Sequence, residues 1–423
     1  MNFVFLQGMP SPFFTRIAHG LSARGAKVSA INLCVGDWLF WRGGTAVNYR
    51  GSLAQWPDYF RKYCERLGVT DLVLLGEQRR YHKEAIVVAQ ALGVRVNVTD
   101  FGYLRPDWIT LERDGMGGNS RFPRDPEELE SLVQEVAELN LSECYRDSAL
   151  NMALGDLLYS FSTVLLRPFF PHYQRSDHRP HPVKYFPAMG MTLLRMRLKR
   201  TQILERLARV VQGKDRFFVF PLQLEHDFQI VSYSPFSSVD EALGEVMASF
   251  ARHAPASDRL VIKRHPWDPG FRDWGQRAQH WARCYGIEGR VDYLEGGNLD
   301  RLIEVAAGMV TVNSTSGVRA LQLGCPVIVL GQAIYDSPGL TAQSGLDEFW
   351  HSPPVPLAAR VSLFMRALVA TIQIRGVFFN EPGLSVSVEA AVERLWYGRV
   401  GQSSVIPQPS APEKTRGGYP RVG

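Results

Sequence analysis

Cysteine is scarce and scattered: five residues in 423 (Cys34, Cys64, Cys144, Cys284 and Cys325), an odd number with no C-x-x-C spacing. That pattern argues against a disulfide framework and a cysteine-built zinc site, and it fits a reducing cytoplasm. No stretch approaches the ~18 apolar residues of a spanning helix, and the first ten residues carry a short apolar run without the basic start of a secretory signal. Any membrane contact is therefore expected to be peripheral. A charge excess is lacking as well: 47 Lys and Arg against 42 Asp and Glu leave +5, too little to point to nucleic acid. There is no internal repeat. What remains is ordinary globular composition, 45% hydrophobic and 11% aromatic, in a chain long enough for two or three domains.

Short apolar runs alternate with helical patterns from the start: strands at 3–7, 27–33, 71–75 and 94–98, helices at 14–24, 57–67 and 81–92. Such alternation implies a mostly parallel sheet. Residues 141–214 break the rhythm with helical, aromatic-rich sequence and a run of Pro and His, and read as a connector. Strands then recur at 216–220, 259–263, 291–294, 309–312 and 326–330, with helices between. The expected fold is α/β, two facing Rossmann-like domains of the GT-B kind with a helical middle region. Its spans are 1–140 (an acceptor-side domain), 141–214 (connector and possible membrane-surface region), 215–375 (a nucleotide-sugar domain), 376–399 (a C-terminal helix) and 400–423 (a disordered tail rich in Ser, Pro and Gly).

Four segments put chemistry-bearing residues at the carboxyl ends of expected strands, where ligands of α/β proteins lie. Asn313-Ser314-Thr315-Ser316-Gly317 opens a helix after the strand at 309–312. Such a turn offers backbone N–H groups at the positive end of a helix to a phosphate or carboxylate, though a plain N-cap fits the same residues. Lys263-Arg264-His265-Pro266 supplies a histidine to donate to a leaving phosphate and cations to neutralise its charge; a solvated turn is the alternative. Gln223 and Glu225 fall on one face if the strand before them extends that far, an arrangement that suits sugar hydroxyls or a base; a polar loop, with His226 and Asp227 trailing, fits equally. In Asp100-Phe101-Gly102-Tyr103-Leu104-Arg105-Pro106, Arg105 suits a sugar carboxylate and Asp100 a nucleophile or base; a turn with a structural ion pair is the alternative.

Taken in order, Gly102-Tyr103-Leu104-Arg105-Pro106 with Ile109-Thr110-Leu111-Glu112, Gln223-x-Glu225, His265-Pro266 and Asn313-Ser314-Thr315-Ser316-Gly317 resemble the bacterial capsule-polysaccharide synthesis and export family of β-Kdo glycosyltransferases. The resemblance spans residues 1–390, with one copy of each motif, as in the single-module members. It implies transfer of Kdo, an acidic eight-carbon sugar, from CMP-Kdo to a (lyso)phosphatidylglycerol or a Kdo-primed lipid, with retention of configuration through an enzyme carboxylate. Asp100 is the candidate and Glu225 the reserve, since Phe101 stands where two-module members carry a second acidic residue. The resemblance further implies that Gly102, Arg105, Gln223, Lys263, Arg264 and the 313–317 turn bind substrate. His265 would serve the leaving CMP. No Asp-x-Asp is present, so no metal and no cofactor beyond the CMP-Kdo donor is expected.

A lipid acceptor requires a surface that meets the membrane. Residues 193–214 carry Arg195, Arg197, Lys199, Arg200, Arg206, Arg209 and Lys214 among leucines and methionines, which suits a basic amphipathic helix on the anionic inner face of the inner membrane or, equally, a solvated helix packed by its apolar side. Phe169, Phe170 and Tyr173, with His172 and His178, either flank the acceptor or form aromatic core. Partners would be CMP-Kdo, the lipid and other capsule-assembly proteins, with no nucleic acid. Two other functions remain open: a non-catalytic carrier of lipid-linked glycan, and a nucleotide-sugar epimerase of the same bilobal fold.

Overall fold

The computed structural model describes residues 1–133, 140–175, 180–225 and 227–403. Most of the tail expected to be disordered, 404–423, lies outside them; just before it, Val400 is buried in the first lobe's core rather than loose.

Strands β1 (Asn2–Phe5), β2 (Lys27–Asn32), β3 (Thr45–Asn48), β4 (Asp71–Leu75), β5 (Arg95–Phe101) and β6 (Trp108–Arg113) join β12 (Gln373–Arg375) in a seven-stranded sheet of order β12-β6-β5-β4-β1-β2-β3. The run β3-β2-β1-β4-β5 is parallel, and β6 and β12 each pair antiparallel with their neighbour. The second sheet is wholly parallel: β7 (Phe217–Pro221), β8 (Arg259–Lys263), β9 (Val291–Leu294), β10 (Gly308–Thr311) and β11 (Val327–Val329), in the order β11-β10-β7-β8-β9. Strands β1, β4 and β7 are buried along their whole length, as parallel strands covered by helices on both faces must be. Each sheet reverses its strand order once in this Rossmann pattern, beside β1 in the first lobe and beside β7 in the second; ligands bind outside such a crevice. The fold is thus two Rossmann-like lobes.

The chain returns to its first lobe earlier than the sequence suggests. Gln373–Arg375, placed by pattern at the end of the second domain, is the edge strand of the first sheet. The following helix, Gly383–Trp396, packs on the helix Phe13–Ala23. The return is fixed by a buried ion pair: Arg375 Nε lies 3.0 Å from Asp107 Oδ2, and the backbone N–H groups of Cys144 and Tyr145 donate to the same oxygen at 2.7 and 3.1 Å. Among its described residues the connector contains three α-helices, Ala149–Leu165, Pro182–Leu198 and Arg200–Gln212.

Removing one member of a buried, hydrogen-bonded pair leaves the other uncompensated. Asp107→Ala is expected to cost about 3–5 kcal/mol, read as a lower urea midpoint. A midpoint within error of wild type would show that Arg375 finds other acceptors without loss.

Candidate functional site

The carboxyl ends of the two sheets converge. After β4, Glu77 is buried and accepts the Tyr233 hydroxyl of the second lobe, Asn119 Nδ2 at 2.9 Å and the Met116 N–H at 3.1 Å. Beside this clamp, Asp100 lies within β5 as its penultimate residue, not past its end. Its Oδ1 accepts the Phe101 N–H at 2.7 Å. Burial raises the Asp100 pKa from the ordinary carboxylate value, while that hydrogen bond and the charges of Arg105 and Arg79 pull it back. Arg105 sits over the Phe101 ring at 4.9 Å. Its side chain reaches solvent yet is surrounded by protein, which lowers its pKa, and the charges of Asp100 and Asp227 oppose that shift. Asp227 comes from the second lobe, so Arg105 interacts with one carboxylate from each lobe.

Asp227 received no role from sequence. Its side chain caps the helix Phe228–Tyr233 by accepting the Gln229 N–H at 2.9 Å. Burial raises its pKa, and the Gln229 and Gln223 hydrogen bonds lower it. The readable signal was an aspartate just ahead of a short apolar helix. His226 lies outside the described residues.

Strand β7 ends at Pro221, so Gln223 and Glu225 do not share a face. Gln223 is buried, its Nε2 donating to Asn313 Oδ1 at 3.0 Å while the Asn313 N–H donates back to its Oε1 at 3.2 Å. Asn313 Nδ2 in turn donates to the Gln229 carbonyl at 2.7 Å. Both amides therefore position the helix that Asp227 begins. Glu225 instead meets Arg272 at 3.1 Å, and Arg272 also meets Asp240 at 3.4 Å, in an ion-pair cluster. Burial raises the Glu225 pKa, with Arg272 opposing.

At the end of β8, Lys263 is 4% exposed with no hydrogen-bond acceptor or ion-pair partner among the described residues, and burial pushes its pKa down to about 8, assisted by Arg264. Arg264 has a buried Nε and amino group without an acceptor among the described residues. His265 Nδ1 lies 3.1 Å from the Trp267 N–H; accepting that bond leaves Nε2 as the protonated nitrogen of the neutral ring. Lys263 and Arg264 thus make a cationic strand end whose donors lack acceptors among the described residues, the chemistry of an anion site.

The 313–317 turn behaves mainly as a cap. The Ser314 N–H donates to Thr311 Oγ1 at 3.1 Å, Ser316 N–H to Ser314 Oγ at 3.2 Å and Gly317 N–H to the Ser314 carbonyl at 3.0 Å. Only the Thr315 N–H of these turn amides lacks an acceptor among the described residues. A Cβ on Gly317 would stand 2.3 Å from the Tyr335 hydroxyl, and one on Gly102 would stand 2.4 Å from the Trp108 carbonyl oxygen. Both glycines permit close packing, which sequence alone does not distinguish from ligand contact.

A polar cluster at the end of β1 escaped sequence reading. Gln7 Nε2 donates to the hydroxyls of Tyr159 (3.0 Å) and Tyr173 (3.2 Å), and Tyr159 donates to Asp37 at 2.7 Å. It borders a cavity of about 30 Å³. Arg79 acts electrostatically on both Asp37 and Asp100, joining this cluster to the cleft. Phe170 is buried and Phe169 exposed; His178 lies outside the described residues. Among the described residues no three His, Cys, Asp or Glu side chains are grouped to hold a metal ion.

The family model described as "Capsule polysaccharide biosynthesis protein" matches residues 70–379. The chain is 32% identical over 389 residues to the capsule polysaccharide modification protein LipB of Neisseria meningitidis serogroup A, covering 90% of this chain and 92% of that one. It is 29% identical over 383 residues to the capsule polysaccharide export protein KpsS of Escherichia coli, covering 89% and 97%. Among solved structures, Thermosulfurimonas dismutans KpsC, a beta Kdo 2,7 transferase, aligns with TM-score 0.46 and 16% identity, covering 94% of this chain and 99% of that one.

A buried lysine with pKa near 8 costs stability while it is charged. The cost is full below that value and relieved as pH rises from about 8 toward the unfolded value of about 10.4. Lys263→Met is accordingly expected to stabilise the protein by about 1–3 kcal/mol at pH 7, with the difference shrinking by pH 10, measured as paired urea midpoints. A variant less stable than wild type at pH 7 would mean that the ammonium is already paired.

Proposed function

The chain belongs to the capsule polysaccharide biosynthesis family, and from that premise we propose that it is a retaining β-Kdo transferase moving Kdo from CMP-Kdo to a (lyso)phosphatidylglycerol or Kdo-primed lipid. The observation that carries this reading is the convergence of Asp100, Arg105 and Asp227 in the interlobe cleft, with the cationic edge of Lys263 and Arg264 at the end of β8. An anionic sugar joined to a phosphate needs a cation for its carboxylate, cations for its leaving group and a carboxylate at its anomeric carbon.

Arg105 pairs with the Kdo carboxylate. Asp100, whose carboxylate is disfavoured by burial but supported by Arg105 and Arg79, attacks the anomeric carbon. The bond to the CMP phosphate breaks, and its electron pair leaves on the phosphate oxygen. Lys263 and Arg264 offset that charge, and His265 Nε2–H donates to it. The acceptor hydroxyl then displaces the Asp100 ester, and Asp227 takes its proton. Glu225, occupied by Arg272, fits the nucleophile's role less well. The donor is a soluble cytoplasmic nucleotide sugar, so the enzyme works at the inner face of the inner membrane, alongside other capsule-assembly proteins.

Incubation with CMP-Kdo and a synthetic lyso-phosphatidylglycerol should add Kdo to the lipid by mass spectrometry; no product, with no stabilisation by CMP, would defeat the reading. Asp100→Asn should lose transfer while retaining CMP binding. His265→Ala should reduce turnover at least a hundredfold with an unchanged circular dichroism spectrum, since a positioned acid contributes about 10²–10⁴-fold. With donor alone, intact mass should show one added Kdo that maps to residues 98–105. An adduct on Glu225 or Asp227 would reassign the nucleophile.

A further inference from the structure

The basic stretch at 193–214 is not one helix but the end of one, Pro182–Leu198, and the whole of another, Arg200–Gln212. The second is not available to a membrane by its apolar side: Leu207 is buried in the second lobe's core, with Val210 and Val211 packed against it. Exposed apolar surface lies upstream instead. On the helix Ala149–Leu165, Leu150, Leu154, Leu158 and Leu165 are each at least half exposed, and at 100° per residue they fall within about 80° of arc. Its only charged residue, Asp156, lies on the opposite side. On Pro182–Leu198, Val183, Met191, Leu194 and Leu198 are exposed to the same degree and occupy a stripe of the same width. The helices touch through stacked rings of Phe161 and Phe186, 5.7 Å apart, so the stripes are neighbours. Exposed apolar surface of this extent marks an interaction site.

Charge selects the partner. Residues 149–214 hold eleven Lys and Arg against three Asp and Glu, a surplus larger than that of the entire chain. Arg195, Arg197 and Arg200 are exposed near the Leu194 and Leu198 end. Leucines ringed by cations suit an anionic lipid surface, with the apolar residues in the acyl boundary and the cations at the headgroups. Each helix is also tied to the ends of one lobe's strands. Tyr159 of the first donates to Asp37, and Thr192 of the second donates at 2.9 Å to the carbonyl of Pro269, in the loop after His265. The two helices therefore sit at the rim of the cleft, with Tyr159 and Thr192 on the sides away from the exposed stripes.

We propose that these two helices form a membrane-docking face whose leucines enter an anionic bilayer at the mouth of the cleft. The proposal deepens the lipid-acceptor reading and rests on it for purpose alone, because binding can be scored without donor or turnover. Flotation with phosphatidylcholine vesicles containing one-third phosphatidylglycerol should carry the protein, and pure phosphatidylcholine should carry much less. The pair variants Leu154→Ser/Leu158→Ser and Leu194→Ser/Leu198→Ser, checked for unchanged circular dichroism and melting temperature, should each lower the bound fraction at least fivefold. Molar salt should weaken wild-type binding in part, leaving the apolar share. Wild-type flotation by both variants would overturn the proposal. So would a wild-type dimer in light scattering that the variants convert to monomer without any vesicle binding, which would make the face a contact between copies.

Discussion

Everything in the cleft depends on one buried carboxylate. Glu77 is closed off from water, so it must be paired by fixed donors, and one of these, the Tyr233 hydroxyl, comes from the other lobe. That bond holds the helix Phe228–Tyr233 against the first lobe. The same helix begins with Asp227, so clamping its end sets its start opposite Asp100 and Arg105. Asn313 fixes the helix from behind through the Gln229 carbonyl, and Gln223 fixes Asn313. A chain of amide and carboxylate hydrogen bonds thus runs from the crevice of the second sheet to the end of β4. Gln223 and Asn313, read in the sequence as substrate contacts, hydrogen-bond to each other and to the helix that Asp227 begins.

This explains what was legible beforehand. Strands such as β4 and β8 carry unbroken apolar runs because parallel strands are covered on both faces, and their alternation with amphipathic helices reads directly as two α/β lobes. β3 is missed because it is an exposed edge strand whose sequence carries no buried pattern. β12 is missed for the opposite reason: Gln373 and Arg375 are buried, but their burial depends on Asp107 and Thr110, far away in sequence. In the site, Asp100, Lys263 and Arg264 were visible because they lie on or immediately after strands, where the carboxyl-end rule applies. Past a strand's last residue the period of two no longer fixes direction, so the surroundings of Glu225, the reserve nucleophile, do not follow from its position in the sequence.

The two lobes carry opposite electrostatic debts. On the first, burial raises the pKa of Asp100, so its negative charge is held against the preference of its surroundings. On the second, burial lowers the pKa of Lys263, and Arg264 keeps buried nitrogens without acceptors among the described residues. An ordinary core would exclude such groups, and their retention at strand ends is what a site for a charged ligand requires. A phosphate near Lys263 and Arg264 supplies the counter-charge missing in the second lobe, whereas in the first Arg105 already faces the carboxylates of Asp100 and Asp227.

The connector shows why basic amphipathic sequence is ambiguous until the fold is known. All three helices carry leucines, but among the described residues only Arg200–Gln212 places one of them, Leu207, in a core cluster, with Val210 and Val211 packed against it and Leu204 left exposed. The other two are held by polar contacts, from Asn151, Tyr159 and Thr163 on the first and Thr192 on the second, by the stacked rings of Phe161 and Phe186, and by the burial of Tyr185 and Met189. Polar anchors fix the position of a helix without consuming its apolar stripe. A helix whose apolar side serves the fold needs no such anchors, whereas one that keeps leucines exposed must be held by other means. The two kinds of helix are therefore distinguished by where their hydrogen bonds go, and hydropathy alone cannot separate them.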